Sequence, residues 1–244
     1  MSSWNFTKSY RNFNRRRKSW GSWRALHWLL MYSLAKYLGF HSHFVLVTTG
    51  LPRDIAPPEV AEGYETRPVG LNDLLPFAGN VPDLSREFLE QAFARGDECV
   101  ANFWGQDLVG FRFQSRTRAP ATNQLDVLVP KKFRYGYKAW VHPEHRRRNL
   151  SVMQIYVMNT LPRAFTEREI GYIATHNYPA LLFGYLAPES RSLMLGRIGW
   201  FTLVGRQIPF RTPYAKWVGL EFVRKDDAGV RQYDPRGRSV APKL

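Results

Sequence analysis

The first 52 positions of this chain lack acidic residues. Met1 to Pro52 holds no Asp or Glu, yet carries Lys8, Arg11, Arg15, Arg16, Arg17, Lys18, Arg24 and Lys36. The formal charge of the 244-residue chain is +15. The remainder is a mildly basic, mixed-charge sequence, so the surplus belongs mainly to one arm. An arm of this sign suits anionic surfaces, either membrane headgroups or nucleic acid. Cysteine is nearly absent as well. A lone Cys99 excludes an internal disulfide framework, supplies no thiolate cluster for a metal, and fits a reducing, cytoplasmic compartment. Two of the arm's histidines, His41 and His43, are separated by one residue, with His27 nearby. Without Cys or a carboxylate beside them they do not make a zinc site, so no metal is expected. There is no Gly-x-Ser-x-Gly, no Walker loop, no internal repeat and no nucleic-acid signature beyond charge, so nucleic acid is not the expected partner.

A long apolar run is also missing. "WGSWRALHWLLMYSLAKYLGF" (Trp20 to Phe40) is aromatic and aliphatic, but its uninterrupted apolar stretch falls short of the ~20 residues of a spanning helix. It carries no small-residue cleavage site of a secretory signal. Arg24, His27, Ser33 and Lys36 do not share one helical face. Two dispositions remain: a helix docked on the main domain, or one lying in a membrane interface with basic anchors. Trp4, Trp20, Trp23 and Trp28 beside arginines suit the interface. The arm therefore points to an anionic membrane surface as a partner, with the protein held peripherally at its inner face.

What the chain does contain, at 44% apolar, is enough to bury a full core, and its length suits one domain plus an extension. The divisions expected are the arm 1–52, a Pro-rich linker 53–63, a globular domain 64–224 and a charged tail 225–244. Tyr64 to Val69 reads as a strand. Asn72 caps a brief helix through Phe77, and Asp83 caps a second, "LSREFLEQAFAR", which Gly96 stops. "ECVANFW" and "LVGFRFQS" form a hairpin across Gly105-Gln106-Asp107. "QLDVLV" and "FRYGYKAWV" are further strands. "LSVMQIYVMNTL", from Leu150, is apolar all round and predicts a buried helix. Ala180 to Leu186 reads as a strand and "PESRSLMLGRIGW" as a helix. "FTLVGRQIPF" and "YAKWVGLEFV" read as late strands. The order implies a mixed α+β domain with one sheet.

"AWVHPEHRRRNLS" (Ala139 to Ser151) places three arginines between a strand and a helix. Like charges there repel unless something anionic neutralises them. A strand end followed by a helix start offers free backbone N–H groups and a partial positive charge. Arg146, Arg147 and Arg148 add bidentate phosphate geometry.

"VHPEHRRRNLS" resembles the coenzyme A loop of the GCN5-related N-acetyltransferase (GNAT) superfamily, Val-x-Pro-x-x-Arg-Gly-x-Gly-x-Gly/Ala. Val141, Pro143 and Arg146 match, Arg147 and Asn149 stand where glycines are usual, and Ser151 takes the small last position. "RIGW" (Arg197 to Trp200) is similar to the family's Leu-Gly-Phe at the end of a later helix. The resemblance covers about Tyr64 to Val223. It implies a GNAT-like acyl-CoA acyltransferase fold, a mixed, mostly antiparallel twisted sheet flanked by helices. It implies an N-acyltransferase, most simply an N-acetyltransferase, with acetyl-CoA or a longer acyl-CoA as co-substrate. The donor would be held by Val141, Arg146, Arg147, Arg148, Asn149, Leu150 and Ser151, its thioester between strands ending at Val141 and Leu186. The acceptor would be an amine on a small molecule, an amino sugar or a lipid-linked precursor. The missing glycines leave open an acyl carrier protein as donor, or a non-catalytic basic adaptor on a degenerate scaffold.

Acyl transfer to an amine needs a base for the nucleophile and an acid for the leaving thiolate. The family's usual acid, a tyrosine five residues before the Leu-Gly-Phe aromatic, falls on Leu195. Ser190, Ser192 and Tyr137 are the substitute acids. Glu189 is the candidate base, with Asp126 and His142 as alternatives. Backbone N–H near Val141 would meet the oxyanion.

Overall fold

In a computed structural model the chain describes residues 6–49, 56–161, 168–181 and 191–225. Two helices, α1 (Phe6–Trp20) and α2 (Ser22–Leu38), pack as a hairpin broken at Gly21. Strand β1 (His41–Thr49) follows. Then come β2 (Tyr64–Val69), the short α3 (Leu71–Leu74) with a 3-10 turn, and α4 (Arg86–Ala94). Strands β3 (Glu98–Trp104) and β4 (Asp107–Ser115) form the expected hairpin. β5 (Arg118–Pro120), β6 (Leu125–Leu128) and β7 (Phe133–Val141) lead to α5 (Leu150–Thr160). β8 (Arg168–Ala174), β9 (Arg191–Leu203), β10 (Arg206–Arg211), α6 (Pro213–Val218) and β11 (Glu221–Arg224) complete the described chain.

The architecture is mixed α+β, with a large, mostly antiparallel sheet flanked by helices, as expected. Its eight strands run β10-β9-β1-β8-β7-β4-β3-β2, and β11-β6-β5 make a second, small sheet. Among these pairings only β7 with β8 is parallel. The main core lies on the sheet face carrying Phe111, Phe113, Tyr135, Tyr137, Ile170 and Ile198. α4 lays Leu89 and Ala92 onto it. α5 covers the other face.

Several local expectations change. His41–Thr49 falls inside the segment read as an arm, yet β1 pairs with both β8 and β9. Its Val45 and Val47 are core residues, so this part of the 1–52 arm belongs to the sheet. Arg191–Trp200 is strand where a helix was expected, because it pairs along its length with β1, from Arg191 against Thr49 to Trp200 against His41. "RIGW" is thus strand, and its likeness to a helix-ending Leu-Gly-Phe fails. Leu195, in the same strand, says nothing about a missing acid. Residues 178–181 are helical rather than strand, and 182–186 lie outside the described residues. Ser85 rather than Asp83 caps α4, accepting from the Phe88 N–H at 3.2 Å. α5 buries one stripe, Leu150, Gln154 and Met158, and is half-buried elsewhere, not sunk in the core all round. "YAKWVGLEFV" divides into α6 and β11 at Gly219, whose φ of 85° ends the helix.

Candidate functional site

β7 and β8 pair only over Phe133–Tyr135 against Arg168–Ile170. Beyond that point β8 stays with β1 as far as Ala174, while β7 stays with β4 as far as Val141. The two strands therefore part, and β7 from Gly136 onward turns toward the opening an edge that has no strand partner among the described residues. At the apex the Arg112–Glu169 ion pair reaches from β4 to β8 across Gly136. A Cβ on Gly136 would come within 2.7 Å of Glu169 Oε1, so a side chain there would displace the ion pair from its present path.

Just past the apex β7 carries an extra residue. Phe111 faces Trp140 and Phe113 faces Tyr137, so Lys138 and Ala139 together oppose Arg112. This is a β-bulge, and Lys138 takes φ 46° in it. The side chain of Lys138 turns away to α4, over the Phe88 ring at 3.9 Å, and donates to the Asp83 carbonyl at 2.6 Å. A bulge leaves backbone groups unpaired at a chosen point of a strand. Here that point lies within the opening.

β7 ends at Val141, and the chain returns to α5 through a 3-10 turn, Pro143–His145. Arg147 (φ 65°) and Asn149 (φ 58°) are both left-handed. These are the two positions where the loop pattern has glycine. The backbone conformation is kept without the residue type that adopts it freely. The loop is tied from outside. Asn149 Nδ2 donates to the Glu59 carbonyl at 3.0 Å, and Tyr64 Oη bonds His145 Nδ1 at 2.8 Å. Arg148 sits over the Tyr64 ring at 5.6 Å. Because Asn149 spends its side chain on Glu59, the start of α5 has no side-chain cap. Its first-turn N–H groups are left to a ligand or water.

Val141, Arg146, Arg147, Asn149, Leu150 and Ser151 gather with His145 and Val152 around one pocket of about 180 Å³. Arg148 is not among its walls. Arg146 Nε bonds the Val141 carbonyl at 3.2 Å, closing the loop on itself. Beneath α5 runs a buried polar chain: Gln154 Nε2 donates to Asn102 Oδ1 at 2.5 Å, and Asn102 Nδ2 to Thr66 Oγ1 at 2.7 Å. At its far end buried Arg134 donates to the Met158 carbonyl and Asn159 Oδ1, satisfying the last turn of α5. The helix is thus held along its length, with its positive end aimed at the pocket.

The expected acid–base residues are scattered. Glu189 and Ser190 lie outside the described residues. Tyr137 is buried, and its hydroxyl donates to Asp97 Oδ2 at 2.5 Å. Arg95 bonds the same carboxylate at 2.7 Å. Burial first, then the Asp97 charge, push the Tyr137 pKa far up, so the phenol stays neutral. It is committed to the core. Ser192 bonds Thr48 at 2.8 Å. Thr48 pairs with Glu169, and Glu169 with Arg134, so this row crosses β7 at its start. Val141 lies seven residues further, about 23 Å along the strand. Ser192 therefore stands at the wrong end of the sheet for a reaction near Val141. Asp126 belongs to the small sheet and pairs with Arg118 at 2.5 Å. His142 accepts from the Glu144 N–H within its own turn.

The bulge at Lys138, the Tyr64–His145 tie and the Asn102–Gln154 chain had no signal in the motif. A further cluster lies on the β8 side of the opening. His41 and His43 stack on Trp200 at 4.8 and 5.1 Å, and Tyr172 meets His43 edge-on at 4.8 Å. Burial, followed by His41 and His176, lowers the His43 pKa from 6.5 to about 3. It is neutral at ordinary pH. Among the described residues no group of three or more His, Cys, Asp or Glu side chains gathers as a metal site.

No protein-family model matches the chain, and no curated protein matches it. Solved structures do. A Drosophila protein from a structural genomics programme aligns at TM-score 0.47 and 13% identity, over 72% of this chain and 56% of its own. A GCN5-related N-acetyltransferase from Kribbella flavida aligns at 0.38 and 15%, over 70% and 63%. A tandem GNAT protein from the clavulanic acid biosynthesis pathway aligns at 0.40 and 15%, over 63% and 52%. Two of these three carry the GNAT name, and the Drosophila protein carries no activity in its name. The chain spans little more than half to under two thirds of these three proteins' own lengths. With identities this low and every TM-score under 0.5, function must come from the residues of the opening and the loop.

Proposed function

We propose that the protein is an N-acyltransferase that takes an acyl group from a coenzyme A thioester and passes it to an amine, most simply as an N-acetyltransferase. The observation that carries this reading is the loop, which keeps left-handed backbone at Arg147 and Asn149 and opens onto an uncapped helix start. Such a site takes phosphate through backbone N–H groups and the helix dipole. Arg146 and Arg147 supply charge at the pocket, and Arg148 supplies it beside Tyr64. A pyrophosphate seated there would send its pantetheine arm into the opening between β7 and β8. The free edge of β7 can pair with the amides of an extended arm as it would with a strand. The thioester would then reach the bulge at Lys138 and Ala139. An unpaired N–H there would meet the negative charge that develops on the carbonyl oxygen. The amine attacks the carbonyl carbon, the C–S bond breaks, and the thiolate leaves with a proton.

Neither Tyr137 nor Ser192 is placed to supply that proton. Glu189 keeps its role as candidate base. The donor is a coenzyme A thioester in preference to an acyl carrier protein, because two arginines at the pocket, a third beside it and a helix start exceed what one phosphodiester needs. The adaptor reading loses a support, since the loop holds its left-handed backbone without glycine.

The test is calorimetric titration of acetyl-CoA, then a long-chain acyl-CoA, into the full chain and into an Arg146→Ala/Arg148→Ala variant. Micromolar binding, weakened about tenfold or more in the variant, is the expected result. Equal affinity in both proteins would remove the loop from the donor site. Binding of neither thioester would refute the coenzyme A reading.

A further inference from the structure

We infer that the outward face of α2, with the tip of the β9–β10 hairpin, is a docking surface for an anionic lipid bilayer. α2 buries Ala25, Trp28 and Met31. The opposite stripe, Trp23, Leu26, Leu30 and Tyr37, stays in water, with Trp23 77% and Leu30 55% exposed. Their spacing puts them on one line along the helix. A surface helix ordinarily gives this face to polar residues. Here no charged residue interrupts it. Arg24 and Lys36, both exposed, flank it on either side, and exposed Arg17 and Lys18 stand at the end of α1.

The apolar surface continues into the sheet. Gly39 turns the chain from α2 to β1, and its carbonyl accepts from the Thr202 N–H at 3.1 Å. This sets exposed Leu38 beside the end of β9. The hairpin tip there is Val204, 94% exposed and left-handed at φ 47°. A β-branched residue is a poor occupant of that conformation, where glycine or asparagine is ordinary. Leu203, also exposed, precedes it, and Arg206 follows on β10.

Charge decides the occupant. No Asp or Glu occurs before Asp54, so every charged side chain that α1 and α2 themselves bring to the stripe's edges is positive. That pattern matches a hydrocarbon boundary beneath anionic headgroups, with Trp23 and Tyr37 at the headgroup level. α2 has 17 residues, about 26 Å of helix, and no helix among the described residues is long and apolar enough to cross a membrane. It would lie in the interface plane. A nucleic acid would use the charge and leave the stripe idle.

The experiment is co-sedimentation of the full chain with phosphatidylcholine vesicles and with vesicles one third phosphatidylglycerol. Trp23→Ser/Leu30→Ser and Val204→Gly serve as variants, and sedimentation velocity without lipid as a companion. The expected result is binding to the anionic vesicles, about tenfold weaker in the double variant and measurably weaker in Val204→Gly, with thermal unfolding unchanged in the double variant and not lowered in Val204→Gly. Absence of binding to either vesicle would overturn the inference, as would binding undiminished in the double variant. A wild-type dimer that the double variant makes monomeric would give the face to a second copy and overturn it too.

Discussion

Two residues of the loop show what a motif records and what it omits. Glycine is usual at the positions of Arg147 and Asn149 because the backbone there is left-handed, and the conformation survives without it. Asn149 tolerates φ > 0 better than most residues, and its amide is further used on Glu59. Asn149→Ala and Asn149→Gly both lose that bond, so comparing them isolates the backbone. The alanine variant should be less stable by about 1 kcal/mol in urea unfolding. At His43 the legible feature is the reverse. Nothing in "HSH" reveals that one ring is largely enclosed, stacked on Trp200, and held neutral. Its native pKa near 3 lies below the unfolded 6.5, so the unfolded state binds the proton first. Stability contributed by the neutral ring is present above about pH 6.5 and is lost as pH falls toward 3. Urea unfolding at pH 7 and pH 5 should show a loss on the order of 1 kcal/mol per unit. His43→Gln should flatten that dependence.

Among elements, those whose residues alternate cleanly were legible. β2, β3, β4, β7 and α5 fall close to where periodicity and turn residues put them. β8 was not, because Arg168 and Glu169 open it and look like surface, and only the Arg112 partner makes Glu169 fit inside a sheet. β9 was misread because Leu193, Met194 and Leu195 are apolar on both faces, so no period distinguishes strand from helix. The opening between β7 and β8 depends on pairings that no local pattern states. Neither did any pattern state the polar chain under α5. Gly110 makes that chain possible: a Cβ there would stand 2.7 Å from Asn102 Oδ1 and 3.1 Å from the Trp140 carbonyl. Gly110→Ala should therefore push Asn102 and Gln154 apart and cost about 1–3 kcal/mol. Because the chain supports α5, the variant should also weaken acyl-CoA binding in titration, although Gly110 does not line the pocket.

At the scale of the whole molecule, order along the chain and order in the sheet disagree. Composition divides the chain after Pro52, since the acid-free arm ends there and a Pro-rich linker follows. The sheet divides it earlier. β1 lies between β8 and β9, six register pairs joining it to β8 and eight to β9. It is the strand that connects the β9–β10 hairpin to the wall of the proposed acyl site. Removing residues 1–52 would expose two inner strand edges and uncover Ile170 and Ile198, which are fully buried. That truncation should abolish cooperative unfolding and, with it, donor binding. Removing residues 1–38 takes away only the helical hairpin, whose ties to the sheet side include His27 Nδ1 with Tyr178 Oη at 2.7 Å and Trp20 on the same ring. This shorter deletion should retain a single cooperative transition at reduced stability, followed by circular dichroism against urea. If the 1–52 deletion instead melts cooperatively and still binds acetyl-CoA, β1 is dispensable and the compositional boundary is the physical one.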